Sequence, residues 1–319
     1  MKHVLGLDIG GTNSRIALID VNEGVPSIKK HKTLPTSDIK DVSKLILGFE
    51  KNIQSIGIGF AGPIMGNKAR LTNAKLSIDV PQIKKKTGAK NIRLLNDFQA
   101  NGYGLRYLGK KDMLVLNKGV KAKENSVEMV VGPGTGLGKA YILNDKVYPC
   151  EGGLTTVGIE DIDEYALFDY IKRKLNNEVY YEDIVSGRGL IDIYDHLEIK
   201  SNLELNMTFR KKIKAEPVKK ATLIVKFSSQ DKLCDMTLRI FTKFYARFVR
   251  DSALNIISSK VYLVGGISEA IIPYLKKYFT KEFLKHRTYS DLLQRVNVYV
   301  VKRQDIGLIG AGAAAAGLV

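Results

Sequence analysis

A chain of 319 residues is longer than a single hydrophobic core usually supports, so two domains are expected. Hydrophobic residues make up 45% and charged residues 26%, with no low-complexity tract, which excludes a disordered or fibrous protein and leaves an ordinary globular one. The net charge of +17 is spread along the chain, with runs at Lys84–Lys86 and Arg210–Lys220 and no interleaved aromatics; it reads as a lysine-rich solvated surface rather than a nucleic-acid groove, and its field favours an anionic nucleotide.

The two isolated cysteines, Cys150 and Cys234, and the scattered histidines His3, His31, His196 and His286 build neither a disulfide framework nor a zinc spacing. A reducing cytoplasm fits. Asp8 interrupts the N-terminal apolar run before a signal-peptide core forms. The longest apolar stretch, 307–319, falls short of the roughly 20 residues that span a bilayer. Neither a membrane nor a nucleic acid is an expected partner.

In chain order, VLGLDIG (4–10) and SRIALID (14–20) predict two strands joined by a glycine turn, followed by a helix at 39–50 and a third apolar run, SIGIGFAGPI (55–64). NIRLLND (91–97) reads as a buried strand ending in polar residues, where parallel α/β sheets place their ligands. EMVVGPGTGLGKAYIL (128–143) repeats the opening plan about 125 residues later, too far for a solenoid and suggestive of two similar domains. Helical patterns at 161–176 and 231–257 precede strands at 260–268 and 296–302 and an Ala-rich helix that returns to the first domain. Residues 197–220 are the least patterned and read as a surface excursion.

A glycine turn between strands is either local geometry or a phosphate cradle. Neither turn is a P-loop: the first lacks the lysine, and in the second Pro133 stands where the first glycine belongs and Ala140 follows Lys139. Neither is a dinucleotide loop, because the third glycine is missing and each turn leads into a strand. What remains is a pair of strand–Gly–strand turns whose backbone N–H groups can approach phosphate oxygens, with Thr12 and Thr135 adding hydroxyl donors. Asp8 cannot bind phosphate directly, since two anions repel, and would instead hold Mg²⁺ through water.

LDIGGTN (7–13), FAGPI (60–64), LTN (71–73), LLNDF (94–98), GPGTGLG (132–138), EGG (151–153), EDIVSGRGL (182–190), LVGGI (263–267) and GLIGAGA (307–313) occur in the order and spacing of bacterial-type glucokinases, which the chain resembles over nearly its whole length. The resemblance implies an α/β fold of two ribonuclease-H-like, actin-like ATPase domains with an interdomain cleft. A small domain over 1–110, completed by a C-terminal helix at about 304–319, and a large domain over 111–303 are the expected division. It also implies a hexose kinase that uses ATP and Mg²⁺, works by domain closure, and forms a possible homodimer.

By the same match, Asp97 is the base that accepts the proton of the sugar hydroxyl as its oxygen attacks phosphorus. Position outweighs basicity there, because a loose transition state delays proton release until the attacking oxygen is acidic. Asn96 both donates to and accepts from a sugar hydroxyl, Glu151 and Glu182 accept from ring hydroxyls, and Asn73 supports them. Gly10, Gly11, Thr12 and Asn13 line the nucleotide from one domain, and Gly134, Thr135 and Gly136 from the other. Gly265 and Gly266 form the adenosine-side loop. Lys139, which the family does not require, adds charge toward phosphate.

The chain departs from the family at three places. Leu154 replaces a histidine that touches the sugar near its first and second carbons, a lost donor worth about 1–3 kcal/mol if nothing compensates. Leucine could pack on the methyl of an acetamido group, so N-acetylmannosamine or N-acetylglucosamine competes with glucose as substrate. Leu76 replaces a common tryptophan and Arg188 a common proline, both near the expected sugar loops. Two readings from other classes remain: a sugar-sensing DNA-binding regulator, which lacks room for a helix-turn-helix segment before the first strand, and a binding-only ATPase, which needs no sugar-facing Asn96–Asp97 pair.

Overall fold

The computed structural model describes residues 2–71, 76–200 and 206–319. They fall into two compact units: Met1–Met113 with Ala140–Pro149 and Arg303–Val319, and Leu114–Lys139 with Cys150–Lys302. The strands are β1 (Lys2–Ile9), β2 (Asn13–Asn22), β3 (Val25–Pro35), β4 (Ser55–Phe60), β5 (Ile64–Met65), β6 (Lys68–Arg70), β7 (Ser77–Asp79), β8 (Asn91–Asn96), β9 (Met113–Asn117), β10 (Glu128–Pro133), β11 (Leu137–Leu143), β12 (Lys146–Cys150), β13 (Lys260–Leu263) and β14 (Asn297–Val301). The helices are α1 (Val42–Phe49), α2 (Val80–Thr87), α3 (Asp97–Gly104), α4 (Ile162–Leu175), α5 (Tyr181–Ile184), α6 (Gly187–Lys200), α7 (Met207–Ala215), α8 (Lys220–Phe227), α9 (Lys232–Ile256), α10 (Gly266–Ala270), α11 (Ile272–Tyr274), α12 (Thr280–Phe283), α13 (Ser290–Gln294) and α14 (Ile306–Ala316). None among the described residues is long and apolar enough to cross a membrane.

In the first unit the sheet runs β3-β2-β1-β4-β8. The first three strands are antiparallel neighbours and β1, β4 and β8 are parallel. Period-two alternation divides the central strand between two faces. Leu5, Leu7 and Ile9 join Ile56, Ile58 and Phe60 in a core that also takes in Ile46 of α1 and Ile83 of α2. Val4, Ala17 and Ile19 pack instead with Leu308 and Ala315 of α14. The second sheet runs β12-β11-β10-β13-β14-β9, so the order third, second, first, fourth, fifth recurs with β9 added at the edge. That recurrence is the structural form of the repeated strand–turn–strand plan.

Two readings of the sequence need correction. The segment 91–97 is not a buried strand: β8 is the edge strand of its sheet and only partly covered, and Asp97 already belongs to α3. Its apolar run fits an edge because only one side has a neighbouring strand. The described part of 197–220 is not merely irregular, since α7 and α8 lie within or across it and Ile213 is fully buried with Tyr194, Ile224 and Phe227. Lysine and arginine stems leave a helix with one apolar position per turn, which blurs its period.

The small residues of GLIGAGAAAA let α14 approach backbone to backbone. A Cβ at Gly57 of β4 would lie 1.8 Å from the Ala311 carbonyl oxygen, and one at Gly310 would lie 1.8 Å from that of Ala100 in α3. The helix that begins with Asp97 is therefore clamped by contacts only glycine allows. Gly57→Ala should lower stability by about 2–3 kcal/mol through overpacking, read from urea unfolding; an unchanged midpoint would show that the contact is not close.

Candidate active site

In the first unit β1, β4 and β8 end together, so the first glycine turn and the Asn96–Asp97 pair lie on the C-terminal edge of the sheet, where open α/β sheets bind ligands. Gly10 donates its N–H to the Asn13 carbonyl at 3.1 Å and closes the hairpin. Buried Thr36 pins it from outside: its N–H donates to the Thr12 carbonyl at 2.8 Å and its Oγ1 to the Gly10 carbonyl at 2.8 Å. Gly11, Thr12 and Asn13 stay exposed.

Asp8 stands opposite Arg15 in the β1–β2 register, and the Arg15 Nη1 donates to its Oδ2 at 3.2 Å and to the Gln304 carbonyl at 2.9 Å. Burial raises the Asp8 carboxyl above its usual range and Arg15 opposes the rise. Asn96 caps α3, its Oδ1 accepting from the N–H groups of Phe98 at 2.9 Å and Gln99 at 3.4 Å, while Gln99 Oε1 accepts from the Asn96 N–H. This capping box sets Asp97 as the first helical residue, where the helix dipole favours a carboxylate. Asp97 Oδ1 accepts from the Phe98 N–H at 2.9 Å.

In the second unit β10 and β13 are parallel neighbours, so the turns that follow them, Gly134–Gly136 and Gly265–Gly266, share one edge. Gly134 donates to the Gly136 carbonyl at 2.7 Å, and Gly265 has φ +91°, a left-handed conformation that favours glycine. Both turns are largely exposed. Glu182 of α5 reaches the first of them: its Oε2 accepts from the Leu137 N–H at 2.8 Å, and a Cβ on Gly136 would lie 2.4 Å from that oxygen. Gly187 N–H donates to the Gly134 carbonyl at 2.9 Å.

Glu151 is exposed at the start of the 3₁₀ turn Gly152–Leu154. That turn is stitched to α5 by the Tyr181 N–H, which donates to the Thr155 carbonyl at 3.0 Å. Arg247 of α9 holds the loop further on, donating to the Gly158 carbonyl at 3.1 Å and pairing with Glu164 through both terminal nitrogens at 2.9 and 2.8 Å. Burial alone would raise the Glu164 carboxyl, but hydrogen bonds from Arg247 and Lys243 outweigh it and hold the group below its usual range.

The second unit thus bonds Glu182 to the Gly134–Gly136 turn, with Gly265–Gly266 on the same sheet edge, and sets Glu151 at the start of the 3₁₀ turn whose end is bonded to α5. The first joins Asp8, Gly10–Asn13, Asn96 and Asp97 along one sheet edge. Asn73 lies outside the described residues. Lys139 does not point toward a phosphate: it is 5% exposed, turned to Ser252. Leu76 is buried in the core of the first unit, whereas Leu154 is 49% exposed. Arg188 pairs with Asp183 of α5. Sequence reasoning missed Thr36 and Arg15; equal counting back from the hairpin turn would have set Arg15 opposite Asp8, but Thr36 carries no local signal.

Strand-to-strand glycine turns together with carboxylates on the C-terminal edges of two like-ordered sheets are the parts of an ATP-dependent sugar kinase. The glucokinase family model matches residues 5–318, and the chain belongs to that family. A glucokinase of Nostoc punctiforme is 28% identical over the whole of both chains. The crystal structure of a glucokinase from an Antarctic psychrotroph superposes with a TM-score of 0.77 at 25% identity, covering 99% of each chain. That of Balamuthia mandrillaris glucokinase in complex with glucose gives 0.77 at 21%, covering 99% of this chain and 94% of that one. The activity is the family's, ATP-dependent phosphorylation of glucose, and the 2-acetamido sugars are not favoured.

Because the folded Glu164 carboxyl lies below its unfolded value, its contribution is present above about pH 4.5 and is lost as pH falls through the folded value. Glu164→Gln should cost about 1–3 kcal/mol at pH 7, because buried Arg247 loses its bidentate partner and keeps Glu160 and Glu282, and should flatten the acid limb of the stability curve. Denaturant titrations from pH 3 to 8 read both; parallel curves for the two proteins would refute the assignment.

Proposed function

We propose that Asp97 is the base that takes the proton from the 6-hydroxyl of glucose as that oxygen attacks the γ-phosphorus of ATP. The observation that carries this reading is the position of Asp97: first residue of α3, at the C-terminal end of β8, on the sheet edge that also bears the first glycine turn. The phosphoryl group passes in a loose transition state, so the base need only be in place when the attacking oxygen becomes acidic. Three constraints hold it there: the Asn96 cap, the Gln99 return bond and the α14 clamp.

Both acceptor directions of Asn96 Oδ1 are taken by the cap, so its NH₂ is the group it offers a sugar hydroxyl. Glu151 accepts from ring hydroxyls. Glu182 does the same with whatever its bond to Leu137 leaves free. Gly10, Gly11, Thr12 and Asn13, with Gly134, Thr135 and Gly136, bind ATP phosphates through backbone N–H groups and hydroxyls, and Gly265 and Gly266 flank the adenosine. The repeated strand order supports two ribonuclease-H-like domains.

Among the described residues no cluster of three or more His, Cys, Asp or Glu side chains could hold a metal on its own. Mg²⁺ carried on the nucleotide keeps most of its waters and needs one or two carboxylates. Asp8 is the carboxylate at the first glycine turn, and its contact with Arg15 offsets part of the cost of burying its charge. Bound there, Mg²⁺ would neutralise charge on the phosphates.

Asp97→Asn should lower kcat about 10²–10⁴-fold while the glucose Kd, read by calorimetry, moves little. Retained turnover would remove Asp97 from the chemistry. Across a panel of hexoses and their 2-acetamido analogues, kcat/KM should be highest for glucose, and Leu154→His should raise it about three- to tenfold by restoring a donor. A preference for an acetamido sugar would reverse the substrate reading.

A further inference from the structure

Lys139 is a buried ammonium that the proposed chemistry does not use. It sits in β11 with 5% of its surface exposed, its Nζ donating to Ser252 Oγ at 3.1 Å and lying 5.3 Å from the centroid of the Phe248 ring. Phe248 and Ser252 are one turn apart on α9, so that helix presents a ring and a hydroxyl to the same cation. Burial pulls the ammonium below the usual lysine range. An aliphatic side chain would fill this space without that desolvation cost, so the cation must return something beyond packing.

What it touches on its other side is the glycine pair after Glu151. A Cβ on Gly152 would lie 2.3 Å from Lys139 Cε and 2.4 Å from Nζ, and one on Gly153 would lie 2.1 Å from the Leu137 carbonyl oxygen. Both glycines are thus laid directly on β11, one on the side chain of residue 139 and the other on the backbone of residue 137. The Cys150 thiol reaches the Lys139 carbonyl at 3.6 Å, anchoring the chain just before Glu151. Phe248, which carries the cation, also packs against Tyr181 with ring centroids 5.1 Å apart, next to Glu182.

We propose that Lys139 is a positioning residue for the sugar-contacting loop: its ammonium end is the floor on which Gly152 rests, and it fixes how Glu151 is presented to the hexose. The proposal rests on the reading of Glu151 as a sugar ligand.

The test is a cycle of Lys139→Ala, Gly152→Ala and the double variant, with KM for glucose, KM for ATP, kcat and Tm measured for each. Gly152→Ala in the parent should raise the glucose KM about tenfold, with the ATP KM moving less than about twofold. In the Lys139→Ala background the same change should cost less than about threefold, because the shorter side chain removes the collision. Lys139→Met, which keeps the volume without the charge, should also raise the glucose KM selectively, and it carries the test if Lys139→Ala does not fold. Independent effects in the cycle, or glucose and ATP KM rising together with a falling Tm, would overturn the proposal. Wild-type turnover of glucose is measured first: its absence overturns the functional reading and this inference together, whereas normal turnover with independent effects overturns this inference alone.

Discussion

At Gly136 the backbone has room for a hydrogen atom and nothing larger, because the Glu182 carboxylate occupies the space beside it and accepts the next N–H. One side chain therefore belongs to two loops. Glu182 closes the turn after β10 and remains part of the segment that runs into α6, whose Gly187 returns a second bond to Gly134. The glycine turn and the Glu182 carboxylate are then one object. Displacing either loop strains the other, and with an N–H left buried and unpaired the cost is about 1–3 kcal/mol. Glu182 and the Gly134–Gly136 turn keep their spacing for that reason.

The first unit reaches a similar rigidity by different means. Its carboxylate sits at a helix start whose position is set by a capping box at one end and by close helix–helix approach along its length. A base that acts late in a loose transition state gains little from a tuned pKa and much from a fixed location. Asn96 contributes to that location by giving both acceptor directions to the cap. A single asparagine thus orders the helix and still keeps a donor, which explains why this residue type precedes the aspartate.

Much of this fold was legible because its signals are local. The hairpins of β1–β2 and β10–β11, the helices α4, α9 and α14, and the strands β13 and β14 follow from periodicity and glycine placement. The repeated order of strands was visible as a repeated motif. What was not legible depends on distance in the chain. Glu182 meets Leu137 across 45 residues, and Lys139 meets Ser252 across 113. A lysine beside a glycine turn gives no local sign of being buried, so charge alone pointed it toward phosphate. The edge position of β8 was equally hidden, since an apolar run reads the same in the middle of a sheet and at its border.

The pairing of Asp8 with Arg15 sets a cation against the cost of burying a carboxylate on this face. The carboxylate lies on the side of β1 that packs toward α14, where a Cβ on Gly307 would come within 3.3 Å of its Cγ. Burial there favours the protonated acid, which cannot attract a cation. Arg15 opposes that rise in pKa without reversing it, its contact being single rather than bidentate. The contact, at 3.2 Å, comes from one guanidinium nitrogen, which is also spent on the Gln304 carbonyl. Arg15 is thereby held by two acceptors, and the second oxygen of Asp8 is not drawn into a fork. The strand register that sets these residues opposite each other thus places a cation beside a carboxylate that burial would otherwise leave uncompensated.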